Sequence, residues 1–189
     1  MIEKIFKYIP FYALLIVLLN SCNSYKTPHE NNINSNESYK DTLCNQISKR
    51  TAEILNNKYE LQFVAMGGGG SKNEKIKLLS LHFYYNKPIL ITEARELLIN
   101  ASEIFLKEIN SNNKISSYVS NFPFTEKNIE IVIYSHNDEY KNYSPPNLAN
   151  FANVCGRLDY YVKEDGKLKL FHKESYEEAL EKIKEETKK

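Results

Sequence analysis

Apolar residues recur at every second position in several stretches of this chain, and that alternation limits what it can fold into. In residues 75–85, Leu79, Leu81, Phe83 and Tyr85 share one side. In residues 129–136, Ile129, Ile131 and Ile133 alternate with Glu130, Val132 and Tyr134. In residues 152–163, Val154, Leu158 and Tyr160 oppose Cys155, Arg157 and Asp159. A period of two is the signature of a strand with one face buried and the other wet. Strands covered on both faces read instead as continuous apolar runs, so the pattern predicts an antiparallel sheet with helices over one face only. Two more strands, at 59–66 and 167–172, complete a sheet of about five. Each belongs to a predicted hairpin, one around Gly67–Gly70 and Ser71-Lys72-Asn73, the other around Glu164-Asp165-Gly166-Lys167. Asp-Gly is a strong signal for a two-residue turn.

Three segments change to helical spacing. Leu43, Ile47, Thr51, Ile54 and Leu55 predict a helix over 40–57, with Ser38 or Asp41 as its cap. Ala94, Leu97, Leu98, Ala101, Ile104, Phe105 and Ile109 form the clearest stripe, over 92–110, capped by Thr92. Glu93 and Glu96 sit at its positive end, where they are favourable. Ser175 and Glu178 fit a capping box for a last helix that buries Tyr176, Ala179, Leu180 and Ile183. Residues 114–127 read as irregular, with Phe122-Pro123-Phe124 packed down. The expected fold is a single two-layer α+β domain over 40–189, in the order α-β-β-α-β-β-β-α.

Residues 1–39 stand apart. Lys4 and Lys7 precede an apolar run from Ile9 to Leu19, followed by Ser21 and Cys22. Eleven residues rise about 16 Å as a helix, roughly half of a hydrocarbon core, and Pro10 interrupts them. These are the parts of a secretory signal, here residues 1–21. Leu18-Leu19-Asn20-Ser21-Cys22 resembles the lipobox of bacterial lipoproteins, although Asn20 stands where that family more often has a smaller residue. The resemblance implies export, cleavage before Cys22, and a diacylglyceryl group with fatty chains such as palmitate on that residue. Two or three such chains hold a protein on a membrane. Asn23 is not the aspartate that the family associates with inner-membrane retention, so the resemblance implies the outer membrane where a cell has two. Residues 55–180 also resemble uncharacterised small bacterial lipoproteins, which implies no activity. Residues 22–39 carry Asn23, Asn31, Asn32, Asn34 and Asn36 with few apolar neighbours, the composition of a flexible linker.

Without residues 1–21, 23 basic and 23 acidic side chains remain. This balance gives no electrostatic footprint for nucleic acid. Cys44 and Cys155 remain besides Cys22. An exported chain could pair them, but Cys44 falls beside helix positions facing the core, while Cys155 shares a strand face with Arg157 and Asp159.

Motifs for chemistry are few. Gly67–Gly70 followed by Ser71-Lys72 lacks the Gly-Lys-Ser/Thr order of a phosphate loop, and a strand rather than a helix follows. His29, His82, His136 and His172 have no partner at metal-ligand spacing. No Gly-x-Ser-x-Gly elbow is present. No cofactor is called for. What the alternation does assemble is the sheet face away from the helices: His82 and Tyr84, Tyr134 and His136, and Arg157, Asp159 and Tyr161. Tyr and Arg are enriched where proteins bind other molecules. The expected function is a non-enzymatic, membrane-anchored envelope module that binds a protein, peptide or cell-wall partner through this face. Two alternatives stand beside it. An envelope hydrolase would need a water-excluding pocket holding a histidine and a carboxylate. A carrier of a small apolar ligand would need a cavity between helix 92–110 and the sheet.

Overall fold

The computed structural model describes residues 35–69 and 75–188. Cys22, the signal-like segment, most of the predicted linker and the loop at 70–74 lie outside the described residues. Ser35–Lys189 form one compact unit, and the α+β class is as expected. Among the described residues no helix is long and apolar enough to cross a membrane.

α1 (Ser35–Tyr59) starts earlier than the apolar pattern indicates, so Ser38 and Asp41 lie inside it and do not cap it. Its first turns carry few apolar residues, so periodicity is silent there. Leu43, Ile47, Thr51 and Leu55 are buried as expected. The helix closes at Glu60, which takes a left-handed φ of 60°. β1 (Gln62–Gly69) follows and includes Gly67–Gly69, which the composition had suggested were loop. These glycines pair with β2 (Leu78–Tyr85). A side chain at Gly67 would place its Cβ 2.8 Å from Ser80 Oγ, so close strand approach rather than turn formation accounts for that glycine.

α2 (Ile91–Asn110) is the predicted central helix, but its cap is the Leu90 backbone, whose N–H donates to Glu93 Oε2 at 3.2 Å. Thr92 is inside the helix. α2 is part of the crossover that returns the chain to β3 (Ile129–Ser135), which runs parallel to β2. The sheet is therefore mixed and not wholly antiparallel. Alternation reports which face is covered, not strand direction, and the long helical connection is what permits a parallel return. In the crossover Phe124 is buried, its backbone bracketed by Asn110, while Phe122 is exposed, against expectation.

The stretch predicted as one strand over 152–163 is two: β4 (Asn150–Val154) and β5 (Arg157–Glu164). Cys155 and Gly156 form the tight turn between them, at φ 54° and 86°. Both values are positive, as the favoured two-residue hairpin requires. β6 (Lys167–Ser175) follows through Asp165-Gly166, and Ser175 and Glu178 make the expected capping box for α3 (Tyr176–Glu186). The six strands lie in chain order, β1-β2-β3-β4-β5-β6.

All three helices pack on one face. Leu98, Ala101 and Phe105 of α2 meet Leu81, Phe83, Ile131, Ile133, Phe151, Leu158 and Tyr160, and all are inaccessible to solvent. The middle of the seam between α2 and the sheet is thus closely packed. The described cavities, of about 330–380 Å³, open at the margins of α1, and one of them is also lined by Tyr85 and by Glu93, Glu96, Leu97 and Asn100 in the first turns of α2.

Candidate functional site

Strand register builds the second face of the sheet. Three rows cross it. Ser80, Glu130, Val154 and Arg157 align in the first; His82, Val132, Ala152 and Asp159 in the second; Tyr84, Tyr134, Asn150 and Tyr161 in the third. No helix among the described residues covers these rows. The centre of the face is low, because Val132 and Ala152 are short. Taller side chains rise on either side: His82, Tyr84 and Tyr134 from β2 and β3, and Arg157 and Tyr161 from β5. One strand separates β3 from β5, so the two walls stand about 10 Å apart. The centre of the face thus carries two short apolar side chains, themselves buried, between polar and aromatic groups.

Each wall is internally bonded. On one side, His82 Nδ1 lies 3.2 Å from Tyr134 Oη, and His82 Nε2 lies 3.5 Å from Glu130 Oε1. Burial, together with the Glu130 carboxylate and Tyr84, pushes the Tyr134 phenol up from its ordinary value. This chain of carboxylate, imidazole and phenol therefore holds a neutral phenol and not an activated phenolate. Tyr84 packs edge-on against Tyr134 and His136, and Tyr140 from the following loop closes over both Tyr84 and His136. On the other wall, Arg157 clasps Asp159 with Nε and Nη2, at 2.8 and 2.7 Å. Asp159 is 4% exposed, whereas the Arg157 side chain points into solvent.

The structure thus unites His82, Tyr84, Tyr134 and His136 in one cluster, and places Arg157, Asp159 and Tyr161 on the same face beyond β4. Cys155 does not share that face, and Val154, expected opposite Arg157 with Leu158 and Tyr160, pairs with Arg157 and shares it instead, because the two-residue turn shifts the alternation by one. It is exposed in the β4–β5 turn, and Cys44 lies against the core; both thiols are free. Burial, with the Asp41 carboxylate adding to it, pushes the Cys44 thiol up to about 11, which makes it a poor nucleophile. Among the described residues, no cluster of three or more His, Cys, Asp or Glu is placed to hold a metal ion.

Sequence reasoning missed one polar cluster, on the helix-covered face. Glu174 of β6 accepts from Arg95 Nε of α2 at 2.7 Å, from Tyr160 Oη of β5 at 2.7 Å and from Lys182 Nζ of α3 at 2.5 Å. Its side chain is 2% exposed. Burial by itself would raise the Glu174 pKa. The bonds from Arg95, Lys182 and Tyr160 outweigh it and hold the carboxyl at about 2. Burial, then the bond to Glu174, raises the Tyr160 phenol. Held so far below the ordinary carboxylate range, Glu174 is a poor proton acceptor. It joins four elements as a structural network. A signal existed: Arg95 lies three residues before Leu98, on the apolar stripe, where a lone charge needs a buried partner.

Comparison of the chain with protein-family models, curated proteins and solved structures finds no match.

Proposed function

We propose that this chain is a lipid-anchored protein of the bacterial cell envelope, whose uncovered sheet face binds a protein, peptide or cell-wall partner. The anchoring part rests on the lipobox-like Leu18–Cys22 behind an apolar run. One observation carries the binding part: a sheet face that no described helix covers, with His82, Tyr84 and Tyr134 on one side of it and Arg157 and Tyr161 on the other. Aromatic rings and an arginine supply both buried area and directional bonds to a partner. The neutral Tyr134 phenol and the poorly basic Glu174 favour this reading over a hydrolase. The packed middle of the α2 seam, with a cavity at its start lined by Lys58, Glu60, Lys87, Glu93 and Glu96, favours it over an apolar carrier. The outer membrane is the proposed site where the cell has two.

Two measurements test the parts separately. Cells fed labelled palmitate should label the chain, and Cys22→Ala should abolish the label; undiminished labelling of that variant removes the anchor. A photo-crosslinking residue placed at Tyr161 in the intact, anchored protein should yield a discrete adduct. The same probe at Glu103, an exposed position on α2, should yield none. Equal adducts from both positions, or none from Tyr161, remove the binding face.

A further inference from the structure

The sheet has two edges, and they are guarded differently. β6 carries Lys167, Lys169 and Lys173, charges of the kind that keep an edge strand from pairing with another chain. β1, the opposite edge, carries no charged residue and no proline from Gln62 to Gly69. It pairs with β2 along one side, and among the described residues no strand or loop pairs with the other. A free edge presents a row of N–H and C=O groups, and the complement of that row is another extended backbone.

Two cavities open between α1 and this edge. The first, of about 360 Å³, is lined by Cys44 and Ser48 of α1, by Met66 and Gly68 of β1, and by Ile76 and Leu79. Gly68 stands opposite Leu79 on the covered face, and its lack of a side chain leaves this space open. The second, of about 330 Å³, is lined by Ala52, Glu53 and Asn56 of α1 and by Phe63 of β1. Phe63 and the neighbouring Val64 are each 40% exposed.

The spacing of the cavities is that of a strand. Phe63 and Gly68 pair with Phe83 and Leu79 of β2, which share a face four residues apart; the bulge at Val64 supplies the extra residue of β1. A regular strand outside β1 would count as β2 does, so its residues i and i+4 would reach the two cavities. The α1 linings agree. One runs from Lys40 to Ser48 and the other from Lys49 to Asn57, a displacement of nine residues. Nine helical residues rise roughly 13–14 Å, and four strand residues about 13 Å.

We propose that the groove between α1 and β1 binds an extended peptide segment of a partner protein, added to the sheet beside β1, with apolar side chains four residues apart in the two cavities. Backbone pairing supplies affinity in this mode, and the cavities supply specificity. A second copy of this chain fits less well. α1 packs on β1, and antiparallel pairing of two β1 strands would set both α1 helices on one face about 5 Å apart, less than the 8–10 Å that packed helices need. A lone strand brings no helix with it. The groove is a second surface, apart from the uncovered face, and does not depend on it.

The probe for a test is a fluorescein-labelled nonapeptide of serine and threonine with leucine at its third and seventh positions. Titrated into the full-length protein and followed by fluorescence anisotropy, it should bind saturably. Moving the second leucine to the sixth position turns it to the other face of the strand. That should weaken binding at least about tenfold, the effect of leaving one leucine in water. Methylating every second backbone nitrogen removes the N–H row along one edge of the peptide. Of the two possible patterns, one should abolish binding and the other should retain it. Val64→Lys puts on β1 a guard like those of β6, at an exposed position, and should weaken the first peptide about tenfold. Equal affinity of the two leucine patterns overturns the inference, as does full binding with both methylation patterns. The absence of saturable binding also overturns it; self-association of the protein that Val64→Lys abolishes would then name a second copy as the occupant of the edge.

Discussion

The two faces of the sheet use the same kinds of residue to opposite ends. Under the helices, polar groups are rare and bonded to one another. Asn153 donates to Ser102 of α2 and accepts from the Gly156 N–H. Glu174 gathers Arg95, Tyr160 and Lys182. Among the described residues, a buried side-chain atom of this face without a hydrogen bond is found at the rim, where His172 Nε2 stands 3.6 Å from Glu174. On the uncovered face, Tyr, His and Asn are abundant. Satisfied polar groups tie elements together. Stability should therefore be concentrated on the first face and recognition on the second.

The largest effect should come from Glu174. Glu174→Ala leaves Arg95 buried with only a 3.7 Å contact to Glu186, and breaking a buried ion pair costs about 3–5 kcal/mol. Urea melts would show it; a loss below about 1 kcal/mol would mean that the network does not hold together the four elements it links. The same group sets a pH dependence. Its carboxyl titrates at about 2 when folded against an ordinary 4.5, so the stability it contributes is complete above 4.5. That contribution is lost as pH falls through 4.5 toward 2. In Glu174→Gln this acid slope should flatten in urea melts taken across that window.

Leu98→Ala tests the packing beneath. Leu98 is inaccessible at the middle of α2, and a fully buried leucine truncated to alanine costs about 2–5 kcal/mol. The smallest effect should be on the uncovered face. Tyr161→Ser removes a half-exposed ring that no helix covers, and a change of about 0.5 kcal/mol or less is expected in the same melts. A cost matching that of Leu98→Ala would erase the contrast between the two faces.

Much of this contrast was legible in the sequence, because alternation fixes parity. Ile131 and Ile133 could only oppose Val132 and Tyr134, so the covered and uncovered sets followed once one face had to be buried. The stripe over 92–110 and the Ser175–Glu178 cap were legible for the same reason: both are local. Other features depended on partners distant in the chain. Whether β3 runs parallel or antiparallel to β2 is decided by the path of α2, not by the residues of either strand. The break at Cys155-Gly156 sits in a run whose alternation continues almost undisturbed, and only pairing of Val154 with Arg157 shows the turn. Arg95 and Glu174 are 79 residues apart, and each alone reads as a surface charge. The groove beside β1 exists only when α1 is laid against that strand. Sequence by itself determined which side chains share a face within one unbroken strand or helix, and failed for Val154, where the hidden turn at Cys155-Gly156 shifts the alternation. Tertiary structure decided which of them meet, and which are left without a partner, since that depends on the register between strands.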